Sequence, residues 1–149
     1  VACAAAVYIF RLFKRRKAVA IPQATAIQSS VPDLSDEQLS ADDLPLEGWI
    51  KLALDLIAEG SLRLALRAFY FATINHLASK NMLLIAPYKS NRDYIAELRR
   101  RAHEEKELVT VFSKNVTFFD KAWYGMYDVT MKHVEAFSSN HKRITALAR

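Results

Sequence analysis

The arrangement of apolar and polar positions divides the chain into three stretches. Val1 to Phe13 is apolar apart from Arg11, and a basic block follows at once. Ala18 to Asp43 shows no sustained period and holds Pro22 and Pro32, with Gln, Ser and Thr between them. From Pro45 onward, apolar residues recur at three- and four-residue spacing, the signature of helices that bury one face. Trp49, Leu52, Ala53, Leu56 and Ile57 predict a first helix over about 47–59. Gly60 ends it, because glycine takes the left-handed conformation at little cost. Leu62, Ala65, Leu66, Phe69, Tyr70, Ala72, Thr73 and Leu77 predict a second helix over about 61–80, with Ser61 as its cap. Its apolar positions cover more than half its circumference, which makes it the central helix.

After a connection containing Pro87, Ser90-Asn91-Arg92-Asp93 reads as a helix start. Ser90 or Asn91 caps it, and Asp93 lies in the first turn, where negative charge favours the helix dipole. This third helix continues to about Ala102 with Tyr94, Ile95 and Leu98 inward. Leu108, Phe112, Val116, Phe119 and Trp123 mark a fourth helix over about 105–124, ended by Gly125. Asp128 is the expected cap of a fifth, which carries Val134, Phe137, His141 and Ile144 on one face. No strand pattern stands out. The expectation is an all-α fold, a compact bundle or array of about five helices over residues 46–149.

Charge refines the remaining stretches. Arg11, Lys14, Arg15, Arg16 and Lys17 follow the apolar run. A signal peptide would place such charges before it. The order matches the cytoplasmic end of a transmembrane helix that obeys the positive-inside rule, so residues 1–17 are read as that end plus a basic juxtamembrane block. A full span needs about 20 apolar residues. The chain has no initiator Met, and the expectation is a fragment of a longer protein. Residues 18–45 carry five acids and no Lys or Arg, which predicts a flexible acidic linker. The lipid bilayer is thus one expected partner, through the N-terminal segment. The net charge of +5 is common and points only weakly to nucleic acid, with Arg99 to Arg101 the one dense cluster of the helical region.

Candidate chemistry is sparse. Cys3 is the only cysteine, and the four histidines have no metal-ligand spacing. HExxH, Walker and GxSxG patterns are absent. Neither catalysis, nor a cofactor, nor a small-molecule substrate is expected within these residues. Lys89, Ser90, Asn91 and Arg92 form a candidate site for an anion or a partner's carboxylate at a helix start. The stronger reading of the segment is structural, with Ser90 capping and Tyr94 packing. Arg63 and Arg67, one turn apart, are a second candidate, either as an anion clamp or as a partner-facing stripe. An ordinary solvated or ion-paired face is the commoner role of such a pair. Trp123, Tyr124 and Gly125 suit a partner hot spot or, more commonly, a core aromatic cluster at a helix end. Gly60, Ala65, Phe69 and Ala72 have the spacing of a tetratricopeptide hairpin, but no 34-residue repeat accompanies it.

Three segments carry a family resemblance: Ala58 to Tyr70, Lys89 to Tyr94, and Phe119 to Gly125. In this order and spacing the chain resembles the bacterial domain family of unknown function DUF4129, over about Trp49 to Phe137. The resemblance implies a C-terminal domain following transmembrane helices, in the cytoplasm at the bacterial inner membrane. It implies no activity or cofactor. It leaves two functional readings. One is a non-catalytic, membrane-tethered interaction or scaffold domain with a protein partner. The other is the regulatory tail of a transglutaminase-like membrane enzyme whose catalytic residues lie upstream of Val1.

Overall fold

The structure is a computed structural model that describes residues 31–149. The expected transmembrane end, the basic residues Arg11, Lys14, Arg15, Arg16 and Lys17, and the linker up to Ser30 lie outside the described residues. Five helices follow one another: α1 (Leu46–Ala58), α2 (Leu62–Ser79), α3 (Asn91–Arg101), α4 (Lys106–Trp123) and α5 (Met131–Leu147). Among the described residues there is no strand, and no helix is long and apolar enough to cross a membrane.

The expected centrality of the second helix holds. Every residue of α2 from Ala65 to Ile74 is buried, and α2 packs against α1, α4 and α5. Ala65, Ala68 and Ala72 are fully buried, as is Ala53 of α1. Small side chains at these positions let α1 and α2 approach closely. The core is completed by Trp49, Leu98, Leu108, Phe112, Val116, Val134 and Ile144, each almost wholly out of water. Burying one such side chain contributes roughly 1.5–3 kcal/mol. The third helix packs on α4 rather than along α2, so the loop Lys80–Ser90 spans from the central helix to a peripheral one.

Helix ends are set by local chemistry. At the end of α1, Gly60 has φ +78°. The Ser61 amide donates to Leu56 O at 2.9 Å and the Gly60 amide to Ile57 O at 3.0 Å, which is a Schellman closure. Asn81, φ +57°, repeats the device after α2, with Met82 N–H donating to Leu77 O at 3.0 Å and Asn81 N–H to Ala78 O at 2.9 Å. Ser61 stands at the N-cap position of α2 as expected but makes no side-chain cap. The fifth helix starts later than expected. Thr130 is its N-cap residue, its amide donates to His133 Nδ1 at 3.2 Å, and Asp128 is exposed two residues upstream. Gly125 follows the end of α4 as expected, but for a steric reason. A Cβ there would stand 2.6 Å from Lys121 O, and the left-handed residue of the turn is Met126, φ +54°.

The expected linker is corrected over its second half. The unit that contains the helices begins at Pro32 rather than at residue 46. Leu34 and Ala41 are core residues. The acids around them build turns: Asp33 accepts from the Ser35 amide at 2.9 Å, Asp36 from the Gln38 amide at 2.9 Å, and Asp43 from the Ser40 amide at 2.7 Å. Trp49 Nε1 donates to Ala41 O at 2.9 Å, and Asn75 Nδ2 to Ala41 O at 3.0 Å and Leu44 O at 3.2 Å. These bonds fasten the segment across α1 and α2. With it included, residues 31–149 hold sixteen basic and sixteen acidic residues, so the folded unit is formally neutral. That removes the electrostatic case for nucleic acid resting on overall charge.

Candidate functional site

The packed acidic segment, α2, the loop before α3 and the end of α4 enclose a cavity of about 530 Å³. Arg67, Lys89 and Asn91 line it together with aromatic walls from Tyr70, Phe71 and Trp123. Sequence-derived candidates from three separate segments therefore meet at one place.

Arg67 occupies the second turn of α2, where the helix is buried all round, and is only 6% exposed. One guanidinium nitrogen donates to Leu34 O. The guanidinium carbon lies 4.5 Å from the centre of the Trp123 ring and 5.2 Å from that of Phe71, within range of a cation–π contact. Among the described residues no carboxylate comes within 4 Å of it. Burial pushes the Arg67 pKa down, while the charges of Tyr124, Asp36, Glu37 and Asp33 oppose the shift. The side chain stays charged, since arginine begins so far above neutrality. It is a desolvated cation whose immediate partners are a carbonyl and two rings.

Lys89 is handled differently. Its ammonium donates to Leu84 O and to Glu97 Oε2, both at 2.6 Å. The ion pair is sheltered, with side-chain exposures of 13% for Lys89 and 6% for Glu97. The second Glu97 oxygen accepts from the Leu84 amide at 3.2 Å and lies 3.0 Å from Arg101 Nε. Burial works to raise the Glu97 pKa, but the hydrogen bonds from Lys89 and the Leu84 amide, with the charges of Lys89 and Arg101, leave it lowered. The Lys89 charge is therefore already matched. Its role is to lock the 84–89 loop onto α3.

The remaining candidates sort by contact. Ser90 is the cap: its hydroxyl and amide both donate to Asp93 Oδ2, at 2.7 and 2.8 Å. Asn91 bridges, accepting from the Tyr70 hydroxyl and donating to Asp120. Tyr70 lies flat against Phe119, ring centres 4.2 Å apart, and its burial pushes the phenol pKa well up. Tyr94 is buried with its hydroxyl beside the Ala86 backbone. Arg92 is exposed and does not line the cavity. Arg63 does not join Arg67 in a clamp. It donates to Tyr127 O at 3.0 Å and to Met126 Sδ at 3.1 Å, which fastens the α4–α5 turn. Trp123 is half-buried over Arg67, but Tyr124 is 73% exposed at the rim and is no core residue.

Sequence reasoning missed Glu97 and the acidic segment as parts of this site. The eight-residue separation of Lys89 and Glu97 spans a loop and a helix start, so no periodic signal links them. Compared with protein-family models, curated proteins and solved structures, the chain matches none.

Proposed function

We propose that this chain is a non-catalytic interaction domain resembling DUF4129, tethered to the bacterial inner membrane and facing the cytoplasm. In this reading Val1 to Phe13 is the membrane exit, with Arg11, Lys14, Arg15, Arg16 and Lys17 on the lipid headgroups. The domain docks a protein partner by receiving one of its carboxylates in the Arg67 cavity.

The observation that carries this reading is Arg67: a buried guanidinium at a concave aromatic surface with no carboxylate of its own. A guanidinium offers a planar fork that matches a carboxylate in two parallel hydrogen bonds. Desolvation strengthens that attraction relative to one made in water. Glu37 lines the same cavity, and its like charge disfavours a dianionic phosphate more than a single carboxylate. The aromatic walls suit the apolar flank of an extended peptide. A concave surface that combines aromatic walls with convergent polar groups can seat a ligand and fix its orientation.

The test is photo-crosslinking in cells from position Tyr124, the exposed rim residue. The reading expects one reproducible protein adduct, centred near an Asp, a Glu or a chain terminus of the partner. That adduct is lost in Arg67→Met and kept in Arg92→Met. An adduct pattern indifferent to Arg67→Met would contradict it.

A further inference from the structure

The outer face of α4 carries a segregated positive charge that the Arg67 cavity does not use. The buried residues of α4 are Leu108, Val111, Phe112, Asn115, Val116, Phe119 and Ala122. At about 100° per residue, Lys106, Thr110, Ser113, Lys114, Thr117 and Lys121 fall within an arc of about 100° on the opposite side. Lys106, Lys114 and Lys121 are exposed, and no ion pair involves them among the described residues. No acid falls within that arc. Glu107 at one edge is held by Arg143, and Asp120 at the other by Asn91. Glu104 and Glu105 lie in the turn before the helix, so the positive field is strongest toward Lys114 and Lys121.

The short side chains between the lysines turn inward. Thr110 Oγ1 donates to Lys106 O at 2.8 Å and Ser113 Oγ to Val109 O at 2.7 Å. The lysines therefore stand above a low floor. Arg99 of α3 extends the charge, and with His103 of the following turn, Lys106 and Lys114 it borders a shallow groove of about 500 Å³. Because residues 31–149 are neutral overall, this is charge sorted to one side and not a general basicity.

The same arc ends at Tyr124. Beyond it Met126 and Tyr127 are 74% and 53% exposed. Arg63 pins this turn through Met126 and Tyr127, so the exposed apolar groups are held in place. A row of lysines spanning about 22 Å, followed by tyrosines and a methionine, has the form of an interfacial surface. Lysines meet anionic headgroups, and amphipathic aromatics sit at headgroup depth.

We infer that the Lys106–Tyr124 face of α4 docks on an anionic lipid bilayer, with the Tyr124–Tyr127 turn at the headgroup level. This rests on the α4 face and the turn beyond it, independently of the Arg67 reading. It would hold the domain against its own membrane in one orientation.

The test is amine-acetylation footprinting of the full chain in vesicles, read by mass spectrometry. Phosphatidylcholine vesicles are compared with vesicles containing about 30 mol% phosphatidylglycerol. The expected result is a drop of about fivefold or more in the reactivity of Lys106, Lys114 and Lys121 in the anionic vesicles alone, reversed by molar salt. Lys51 on α1 and Lys80 just after α2 should keep theirs. Equal reactivity in both vesicles would overturn the inference. Protection of the same lysines by duplex DNA without vesicles would assign the face to nucleic acid and overturn it. Protection without lipid that grows with protein concentration would assign it to a second copy, with the same consequence. Arg67→Met should leave the footprint unchanged, which separates this result from the fate of the cavity reading.

Discussion

Lys89 and Arg67 line one cavity, yet the fold provides for them in opposite ways. Lys89 meets a buried carboxylate at 2.6 Å and a carbonyl at the same distance. Arg67 meets a carbonyl and two rings. A buried pair is closed: its desolvation is offset by its own Coulomb energy, and removing one member strands the other. An unpaired buried guanidinium is open, since its remaining donors have no anion of the protein to satisfy them. The contrast separates a cation that holds a loop from a cation that is free to hold a ligand.

The sharpest way to break this comparison is to remove each cation in turn. Lys89→Met leaves the Glu97 carboxylate buried with the Leu84 amide and Arg101 alone. Urea unfolding should show a loss of about 3 kcal/mol, with Arg101 keeping it from the upper end of the range for broken buried pairs. A loss below about 1 kcal/mol would mean that Glu97 is adequately matched without Lys89, and the contrast would fail.

A third buried ionisable group extends the comparison. His141 is buried, and its Nδ1 lies 2.9 Å from Thr73 Oγ1. Thr73 donates its own proton to Phe69 O at 2.8 Å, so His141 donates to Thr73 as a neutral ring. Burial, with some help from His76 and Lys142, lowers its pKa to about 4. The folded value lies below the unfolded one, so the unfolded chain binds more protons. Stability is therefore fully present above pH 6.5 and declines as pH falls toward 4. The loss over that window is about 3 kcal/mol at most. His141→Leu should flatten that part of a stability-versus-pH curve. A slope equal to that of the unaltered chain would show that His141 is not its source.

The smallest effect is expected at Arg67. Arg67→Met strands no carboxylate. It takes a donor from Leu34 O but relieves a buried charge, so the two changes oppose each other. The change in stability should stay within about 1 kcal/mol, clearly below that of Lys89→Met. A larger loss would make Arg67 a structural residue.

Much of the scaffold was legible because 3.6-residue periodicity marks a buried helix face directly. Leu108, Phe112, Val116 and Phe119 are buried as their spacing predicts, and Gly60 closes α1 in the left-handed region. The packed part of the acidic stretch was not legible. Its order comes from Asp33, Asp36 and Asp43 accepting amides two or three residues away, and the same composition also describes a solvated linker. The start of α5 was misplaced because Asp128 and Thr130 both suit a cap, and the His133 ring that engages Thr130 is an uncommon partner. Arg63 and Arg67 show the limit for the site. They are identical residues one turn apart on one helix. Only the neighbouring elements decide that Arg63 fastens a turn while Arg67 enters a cavity.

The open valence of Arg67 is tested most directly by its side-chain Nε–H resonance. The full chain is titrated with short N-acetylated, C-amidated peptides that differ only in carrying one Glu or one Gln. The account predicts a saturable shift of the Arg67 resonance with the Glu peptide, no such shift with the Gln peptide, and loss of binding in Arg67→Met. A resonance unmoved by either peptide, or perturbations confined to exposed residues such as Arg92 and Arg99, would contradict it.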